Sequence, residues 1–231
     1  NGGSKIWYAA QERDVAVYNY NQDDYEITRL GDHHQNEWQV SYVGPGTGDG
    51  TDTLSEIETL RFADGDLYLG GLTLEGREGA RELVGGIGFD TVTYNGEFSY
   101  STSAVQASLL RGEGWTGYAR GHVYRDIDAL RGSHHGDVLT GDHADNFLFG
   151  LGGDDTLIGN AGTDVLYGDD GTDVAVFSYD RDQYFIGHYA ENSVVTYQGD
   201  NGAGDGHVTL YDIEVLRFAD GDVTIWDLSV I

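Results

Sequence analysis

Apolar and polar residues alternate over short stretches along most of the chain. Residues 15–18 read Val-Ala-Val-Tyr and are followed by a polar turn and a Tyr-x-Ile segment at 25–27. A period of two is typical of a strand with one buried face. Asp-Gly pairs at 64–65 and 220–221 indicate hairpin turns. Long helical periods are missing, although residues 101–110 could hold one helical turn, so the pattern predicts an all-β chain.

A nine-residue period governs the stretch from Gly132 to Val176. Five consecutive nonamers start with glycine, carry Asp or Asn at the sixth position and an apolar residue at the eighth. A further copy occupies residues 85–93, while the nonamer at 76–84 has Arg81 at the sixth position. The sixth positions are Asp90, Asp137, Asn146, Asp155, Asp164 and Asp173, and glycines of the last three nonamers are Gly150, Gly153, Gly159, Gly162, Gly168 and Gly171.

The spacing predicts how these residues come together. Six residues rich in Gly and Asp make a turn, and the next three make a short strand whose middle side chain points inward. Two nonamers complete one coil, so turns 18 residues apart stack on the same edge and their carboxylates converge. Calcium takes six to eight oxygen ligands, which stacked turns can supply from carboxylates and backbone carbonyls. The alternative is that the Asp side chains only cap glycine turns.

The nonamers resemble the repeats-in-toxin (RTX) family of haemolysin-type calcium-binding proteins. The resemblance implies a right-handed parallel β-roll with several calcium ions, held by the sixth-position side chains and the turn glycines. It places ions between Asp137 and Asp155, between Asp155 and Asp173, and between Asn146 and Asp164. The third site should be weaker because Asn146 carries no charge. Arg81 indicates a turn that is vacant or that uses the guanidinium as an internal cation.

A second, longer repeat frames the nonamers. Residues 60–66, Leu-Arg-Phe-Ala-Asp-Gly-Asp, recur unchanged at 216–222, and the segment at 15–18 is echoed at 174–177. Because a roll exposes apolar core at its ends, it needs caps. The sequence therefore predicts an N-terminal β-rich cap at 1–75, a roll at 76–176 and a C-terminal β-rich cap at 177–231. Residues 94–131 would be an insertion that leaves the roll and returns at Gly132.

The charge identifies the class of partner. The 231 residues include 12 Lys plus Arg and 40 Asp plus Glu, a net charge of −28. Such a chain repels phosphate, which argues against nucleic acid and against anionic lipid, and no apolar run is long enough for membrane insertion. With no Cys, disulfides and thiolate metal sites are excluded. A cation is the natural partner.

The resemblance also implies a route out of the cell. Proteins of this type are exported unfolded by type I secretion machinery and fold on calcium outside, where its concentration is high enough for weak sites. Residues 226–231, an acidic residue followed by apolar ones, resemble a C-terminal secretion signal, or form an ordinary terminal strand. We expect a secreted, extracellular protein, associated with a cell surface if its ligand lies there.

No catalytic motif is apparent. The chain lacks the H-E-x-x-H and G-x-S-x-G patterns, and the histidine pairs at 33–34 and 134–135 are expected to be surface polar residues, so we expect no enzyme. The 16 Tyr and four Trp favour a sugar ligand, or else fill the cores of the caps. The carbohydrate-binding candidates are Trp115, Tyr118, Arg120 and Trp38.

Two functions remain open at this point. The chain is similar to the rhizobial adhering proteins, which are secreted calcium-binding lectins, and this implies a lectin or adhesin for bacterial surface polysaccharide in a biofilm. Alternatively, it is the calcium-folding and secretion module of a larger secreted enzyme or toxin.

Overall fold

A computed structural model describes residues 14–30, 37–55, 57, 59–69, 71–79, 81–96, 99–190, 192–199 and 204–227. The all-β prediction is confirmed, because the described residues form 25 strands and only one-turn 3-10 helices. These helices are Gln22–Asp24, Gly117–Ala119, Arg181–Gln183 and Ile225–Asp227. None of the helices in the described part of the chain has the length or apolar character needed to cross a membrane.

The chain divides into two compact units. The N-terminal unit comprises Asn1–Leu72 and Gly85–Phe89, and the roll unit comprises Thr73–Val84 and Asp90–Ile231. The strands of the N-terminal unit are β1 (Val15–Val17), β2 (Tyr25–Leu30), β3 (Glu37–Tyr42), β4 (Thr51–Ser55), β5 (Thr59–Arg61) and β6 (Asp66–Tyr68). They form two small sheets, in which β1 pairs parallel to β5 and β2, β3 and β4 make an antiparallel meander.

The roll unit contains the other strands. They are β7 (Thr73–Glu75), β8 (Glu82–Val84), β9 (Thr91–Thr93), β10 (Asn95–Gly96), β11 (Ser99–Tyr100), β12 (Gln106–Ser108), β13 (Glu113–Thr116), β14 (Val123–Arg125), β15 (Ala129–Arg131), β16 (Val138–Thr140), β17 (Phe147–Gly152), β18 (Thr156–Ile158), β19 (Thr163–Asp170), β20 (Val174–Val176), β21 (Tyr184–His188), β22 (Ser193–Tyr197), β23 (His207–Tyr211), β24 (Val215–Phe218) and β25 (Gly221–Thr224). Most of them lie in a nine-stranded sheet, β25-β24-β20-β18-β16-β12-β13-β14-β8, and an eight-stranded sheet, β21-β22-β23-β19-β17-β15-β9-β7.

The nonamer strands stack in the register that the sequence predicts. Strand β16 pairs parallel to β18 with Leu139 opposite Leu157, and β17 pairs parallel to β19 with Leu148 opposite Leu166. All four leucine side chains are at most 1% exposed and belong to one core cluster. The eighth position of each nonamer thus supplies the inward side chain, and two nonamers make one coil of a parallel β-roll.

The roll is longer than the nonamers. Strand β7, ahead of the predicted start at Gly76, pairs parallel to β9, and β15 pairs parallel to both β9 and β17, so the roll resumes before Gly132. The segment predicted as an insertion also contributes to the nine-stranded sheet, because β14 pairs parallel to β8 and β12 to β16. The helical turn expected within residues 101–110 is wrong, since this segment contains β12.

The C-terminal segment continues both sheets. Strand β23 pairs parallel to β19 and β24 pairs parallel to β20, so residues after Val176 extend the roll. Strands β20 to β25, which we call the C-terminal repeat, have the same order and pairing as β1 to β6, which we call the N-terminal repeat.

Candidate metal centre

The sixth-position side chains of the nonamers point into the roll. Asp90, Asp137, Asn146, Asp155, Asp164 and Asp173 are each at most 1% exposed. Burying an ionised carboxylate is costly unless it is paired or coordinates a cation. The structure therefore raises the question of what satisfies these groups.

One oxygen of each of three carboxylates binds the neighbouring coil. Asp155 Oδ1 accepts a hydrogen bond from the Asp137 N–H at 2.6 Å, and Asp173 Oδ1 accepts one from the Asp155 N–H at 2.8 Å. On the other edge, Asp164 Oδ1 accepts a hydrogen bond from the Asn146 N–H at 2.9 Å. Each pair is 18 residues apart, which is the spacing that the nonamer pattern predicts.

The second oxygen of the same carboxylates has no hydrogen-bond partner among the residues that the structure describes. Oδ2 of Asp155, Asp164 and Asp173 is buried and makes no hydrogen bond. An unsatisfied buried charged group costs several kcal/mol of folding free energy, roughly 3 or more. Three such oxygens at equivalent positions of a repeat indicate sites for a ligand that supplies positive charge.

The surroundings of these oxygens suit calcium. A Cβ atom built on Gly150 would clash with Asp155 Oδ2 and would lie 2.9 Å from the carbonyl oxygen of Gly168, in the next coil. A Cβ built on Gly168 would lie 2.5 Å from Asp173 Oδ2. Glycine at the first position therefore leaves a cradle lined by carboxylate and carbonyl oxygens, the hard ligands that calcium prefers.

The carbonyl oxygens are needed because carboxylates alone are too few. Among the residues that the structure describes, no group of three or more His, Asp or Glu side chains forms a metal site. A cation in the cradle would take its ligands from one or two carboxylates and from turn carbonyls. The sixth and first positions of the nonamer carry both kinds of oxygen.

Burial shifts the acidity of these carboxyl groups. Burial, and to a smaller extent neighbouring carboxylates, raise the pKa of Asp155 and of Asp164 to about 7 and the pKa of Asp173 to about 6. Burial also raises the pKa of Asp137. The ionised roll is thus destabilised by its own carboxylates at neutral pH, and a bound dication would reverse this effect.

Two of the predicted ligands are already bonded to protein. Asp137 Oδ2 accepts hydrogen bonds from the N–H of Ser133 at 2.5 Å and from its hydroxyl at 3.1 Å, while Asp137 Oδ1 accepts one from Val105 N–H at 2.7 Å. Asn146 Oδ1 accepts a hydrogen bond from the Asp142 N–H at 2.6 Å. The structure therefore favours cations beside Asp155, Asp164 and Asp173 over a cation beside Asp137.

The turn glycines occupy comparable positions. A Cβ atom built on Gly132 would lie about as close to the Gly150 carbonyl oxygen as a Cβ on Gly150 lies to the Gly168 carbonyl oxygen. The same holds for a Cβ on Gly141 and the Gly159 carbonyl oxygen. Gly153 O faces Gly171, one coil further on. Gly162 O accepts a hydrogen bond from the His207 N–H at 2.9 Å, so this carbonyl is already used by β23.

Two acidic residues outside the nonamers make the same hydrogen bond to a neighbouring coil as the sixth-position carboxylates do. Asp128 Oδ2 accepts a hydrogen bond from the Asp90 N–H at 2.7 Å, and Glu214 Oε2 accepts one from the Asp173 N–H at 2.8 Å. The sequence carried a signal for both, because residues 127–130 and 213–216 read Ile-Asp/Glu-x-Leu, which fits positions five to eight of a nonamer.

The vacant turn is filled by a histidine and not by Arg81. Arg81 is exposed, so the prediction of an internal guanidinium is wrong. The buried His122 lies instead with Nε2 2.9 Å from Arg77 O and 3.0 Å from Gly79 O, within this nonamer. Because carbonyls only accept, Nε2 carries the proton, and burial lowers the pKa of the ring and keeps it neutral.

The remaining side chains predicted for carbohydrate lie in different environments. Trp38 is 1% exposed in the core of the N-terminal unit, so it cannot stack on a sugar, and this prediction is wrong. Trp115 is 36% exposed, with the Arg111 guanidinium 5.4 Å from its ring centroid. Tyr118 and Arg120 line an open cleft of about 600 Å³. Its other walls are Glu78, Gly79, Thr102, Ser103, Gly117 and Gly121.

One of the two histidine pairs lies within the described residues. His134 and His135 are exposed, as expected for surface polar residues. His33, His34 and the last four residues of the proposed secretion signal lie outside the described residues.

Comparison with known proteins bears on the repeats. Residues 140–175 match the family model described as the RTX calcium-binding nonapeptide repeat (4 copies). No curated protein matches the chain. The chain therefore carries calcium-binding repeats of the RTX type, a structural rather than a catalytic motif. Such repeats are typical of proteins secreted by type I systems.

Proposed function

We propose that this chain is an extracellular protein that folds when it meets calcium and then binds an acidic polysaccharide of a bacterial surface. The observation that carries the calcium step is the set of three buried, unpartnered carboxylate oxygens on Asp155, Asp164 and Asp173. They make the folded chain costly without a cation and favourable with one.

Calcium can act as a folding switch because it binds only the stacked turns. A ligand that binds the folded form alone stabilises it by about 2.7 kcal/mol per site at a hundredfold excess over Kd. Against this stand the repulsion within a chain of charge −28 and the desolvation of the buried carboxylates. Several such sites are enough to decide between a loose and a folded chain, and sites of extracellular strength fill only outside the cell.

The cleft beside Tyr118 is the proposed sugar site. Arg120 can bind a sugar carboxylate, and the hydroxyls of Ser103 and Thr102 together with Glu78 can bind sugar hydroxyls. Trp115 precedes the cleft residue Gly117 by two positions, and its exposed ring can stack on a sugar face. An aromatic ring, a guanidinium and several hydroxyls around one open cleft are suited to an acidic polysaccharide.

The roll positions this cleft. The Val105 N–H, two residues after Ser103, donates to the Asp137 carboxylate, and the Thr116 hydroxyl donates to Ala104 O at 3.2 Å. The backbone next to the cleft residue Ser103 is thus hydrogen-bonded to the first turn of the five-nonamer array. Calcium that orders the array would order the cleft as well, which makes sugar binding calcium-dependent.

Retention on immobilised polysaccharide tests the proposal. The full chain is passed over acidic bacterial polysaccharides, including the capsule of the producing organism, with calcium and with chelator. We expect retention in calcium only, and at least a tenfold loss of affinity for Arg120→Ala and Trp115→Ala. Trp226→Ala is the matched control, since Trp226 is 78% exposed and lies outside the cleft.

A second candidate function is favoured by the internal repeat. The C-terminal repeat ends a calcium-binding roll, and the N-terminal repeat has the same strand order, as expected for a cap in a protein with more than one roll. The chain would then be a calcium-folding and secretion module of a larger enzyme or toxin. Calcium-dependent folding without retention on any polysaccharide would favour this function over the lectin.

A further inference from the structure

The last turn of the nonamer array faces a coil that is not a nonamer. Strand β24 pairs parallel to β20 with Val215 opposite Val174, and β23 pairs parallel to β19 with Tyr211 opposite Tyr167. The connection between β23 and β24, residues 212–214, therefore lies on the same edge as the turn that ends at Asp173. It occupies the place of a further calcium-binding turn.

Oxygens at this place repeat the pattern within the array. A Cβ atom on Gly168 would clash with the carbonyl oxygen of Asp212, just as a Cβ on Gly150 would come within 2.9 Å of Gly168 O. Asp212 has a left-handed backbone, φ 50°. The Glu214 carboxylate accepts a hydrogen bond from the Asp173 N–H at 2.8 Å, as the Asp173 carboxylate accepts one from the Asp155 N–H.

An unpartnered oxygen points into the same place. Asp173 is completely buried, its Oδ1 accepts the Asp155 N–H, and its Oδ2 has no hydrogen-bond partner in the described part of the chain. This oxygen lies next to Gly168, whose other neighbour is Asp212 O. A buried unpaired carboxylate oxygen, a carbonyl oxygen and a second carboxylate converge here, although no nonamer follows.

We propose that Asp173, Glu214 and the Asp212 carbonyl hold a calcium ion that joins the C-terminal repeat to the roll. This inference rests on the proposed calcium-dependent folding and identifies the ligands of the cation beside Asp173, two of which lie outside the nonamers. The ion would fasten β23 and β24 to the last nonamer coil, so the end of the roll closes when calcium arrives.

Counting bound calcium in the full chain tests this site. Equilibrium dialysis with radioactive calcium is carried out on the wild type, on Glu214→Gln and on the control Glu26→Gln, whose exposed side chain lies in the N-terminal unit. Gln keeps an oxygen for the Asp173 N–H and removes the charge. We expect Glu214→Gln to bind one ion fewer than the other two proteins, and Glu214→Asp to restore the ion with weaker affinity.

Hydrogen exchange locates the lost ion. In calcium, the amides of β24 should exchange at least tenfold faster in Glu214→Gln than in the wild type, while those of β16 and β18 stay protected. Equal ion counts and equal protection of β24 in the two proteins would overturn the site and leave calcium-dependent folding intact. A wild type that binds no calcium would overturn both.

Discussion

The N-terminal and C-terminal repeats have one architecture and different surroundings. In each, three rings pack together, Tyr18, Tyr25 and Phe62 in the first and their counterparts Phe177, Tyr184 and Phe218 in the second. In each, the tyrosine hydroxyl donates to an aspartate, Tyr25 to Asp49 and Tyr184 to Asp205. The local sequence thus determines the module in both places.

The two repeats differ in the pairing of their outer strands. Strands β20 and β23 pair with β18 and β19 of the roll, whereas their counterparts β1 and β4 are edge strands in the sheets that the structure describes. The sequence ahead of the modules differs accordingly. Gly168 and Gly171 precede Asp173, but Ala9 and Glu12 stand at the matching positions before Asp14. Glycine and aspartate turns, and not the module itself, connect a repeat to a calcium-binding roll.

Removing calcium should produce the largest difference in stability between the two repeats. In chelator we expect the amides of β16 to β24 to lose most of their protection from hydrogen exchange, because the unpaired carboxylate oxygens lie there. The amides of β2 to β4 should change little. Equal loss of protection in both repeats would show that calcium also holds the N-terminal repeat, and an unchanged roll would contradict the folding switch.

Acidification in chelator should partly replace calcium, and only in the roll unit. A carboxyl whose pKa is higher in the folded than in the unfolded chain favours folding as the pH falls through that pKa. The pKa is about 7 for Asp155 and Asp164 and about 6 for Asp173. The midpoint temperature of unfolding of the roll should therefore rise by several degrees as the pH is lowered from 8 to 5.

The N-terminal unit provides the internal control for this experiment. Hydrogen bonds from Tyr25 and Asn19 lower the pKa of Asp49, and the Arg61 side chain lowers that of Asp66. Their stabilising contribution is complete above the unfolded pKa of about 4, so it is constant between pH 8 and pH 5. A parallel rise in both units would contradict the assignment of the effect to the roll carboxylates.

Asp155→Ala should lower the stability of the calcium-bound roll by about 3 kcal/mol, the contribution of one well-filled site. Asn146→Ala should cost less, because its oxygen is already bonded to the Asp142 N–H and carries no charge. Calcium titrations followed by circular dichroism measure both. Equal calcium affinities in the two variants would contradict the stacked arrangement of ligands.

The smallest effects should be the same in the two repeats. In calcium, where both repeats are folded, Tyr25→Phe and Tyr184→Phe each remove one hydrogen bond to a carboxylate, at a cost of about 1 to 2 kcal/mol of unfolding free energy. Tyr42→Phe is the control, because its hydroxyl donates to an exposed carbonyl, Pro45 O. A clearly larger cost for Tyr184→Phe than for Tyr25→Phe in calcium would show that the Tyr184 hydrogen bond is coupled to the roll.

The nonamer array was predictable because its period determines two things at once. Glycine at the first position and an apolar residue at the eighth define both the turn and the inward face, so Leu139 opposite Leu157 follows from counting. Where the period stops, the prediction fails. Strands β7, β12 and β14 join the sheets through pairings between residues far apart in sequence, which no local pattern contains.

The site was predictable in its repeated part only. Glu214 could have been found from the Ile-Glu-x-Leu segment, since this segment fits the second half of a nonamer. His122 could not, because it is a single histidine in a polar segment and contacts a turn 43 residues away. Trp38 misled because an aromatic residue in an alternating strand fits a core as well as a sugar site.

The turn occupied by His122 predicts a direction in which the roll folds. Its carbonyls at Arg77 and Gly79 are held by a neutral ring, which Tyr94 supports through a 2.9 Å hydrogen bond to Nδ1. At this end β8 is the edge strand of the nine-stranded sheet, and the His122 ring lies where a nonamer turn would hold a cation. In a one-dimensional stack that gains stability from neighbour to neighbour, a preformed end acts as a nucleus. We then expect the coils to fold onto it one after another, from β8 towards β24, as calcium ions bind.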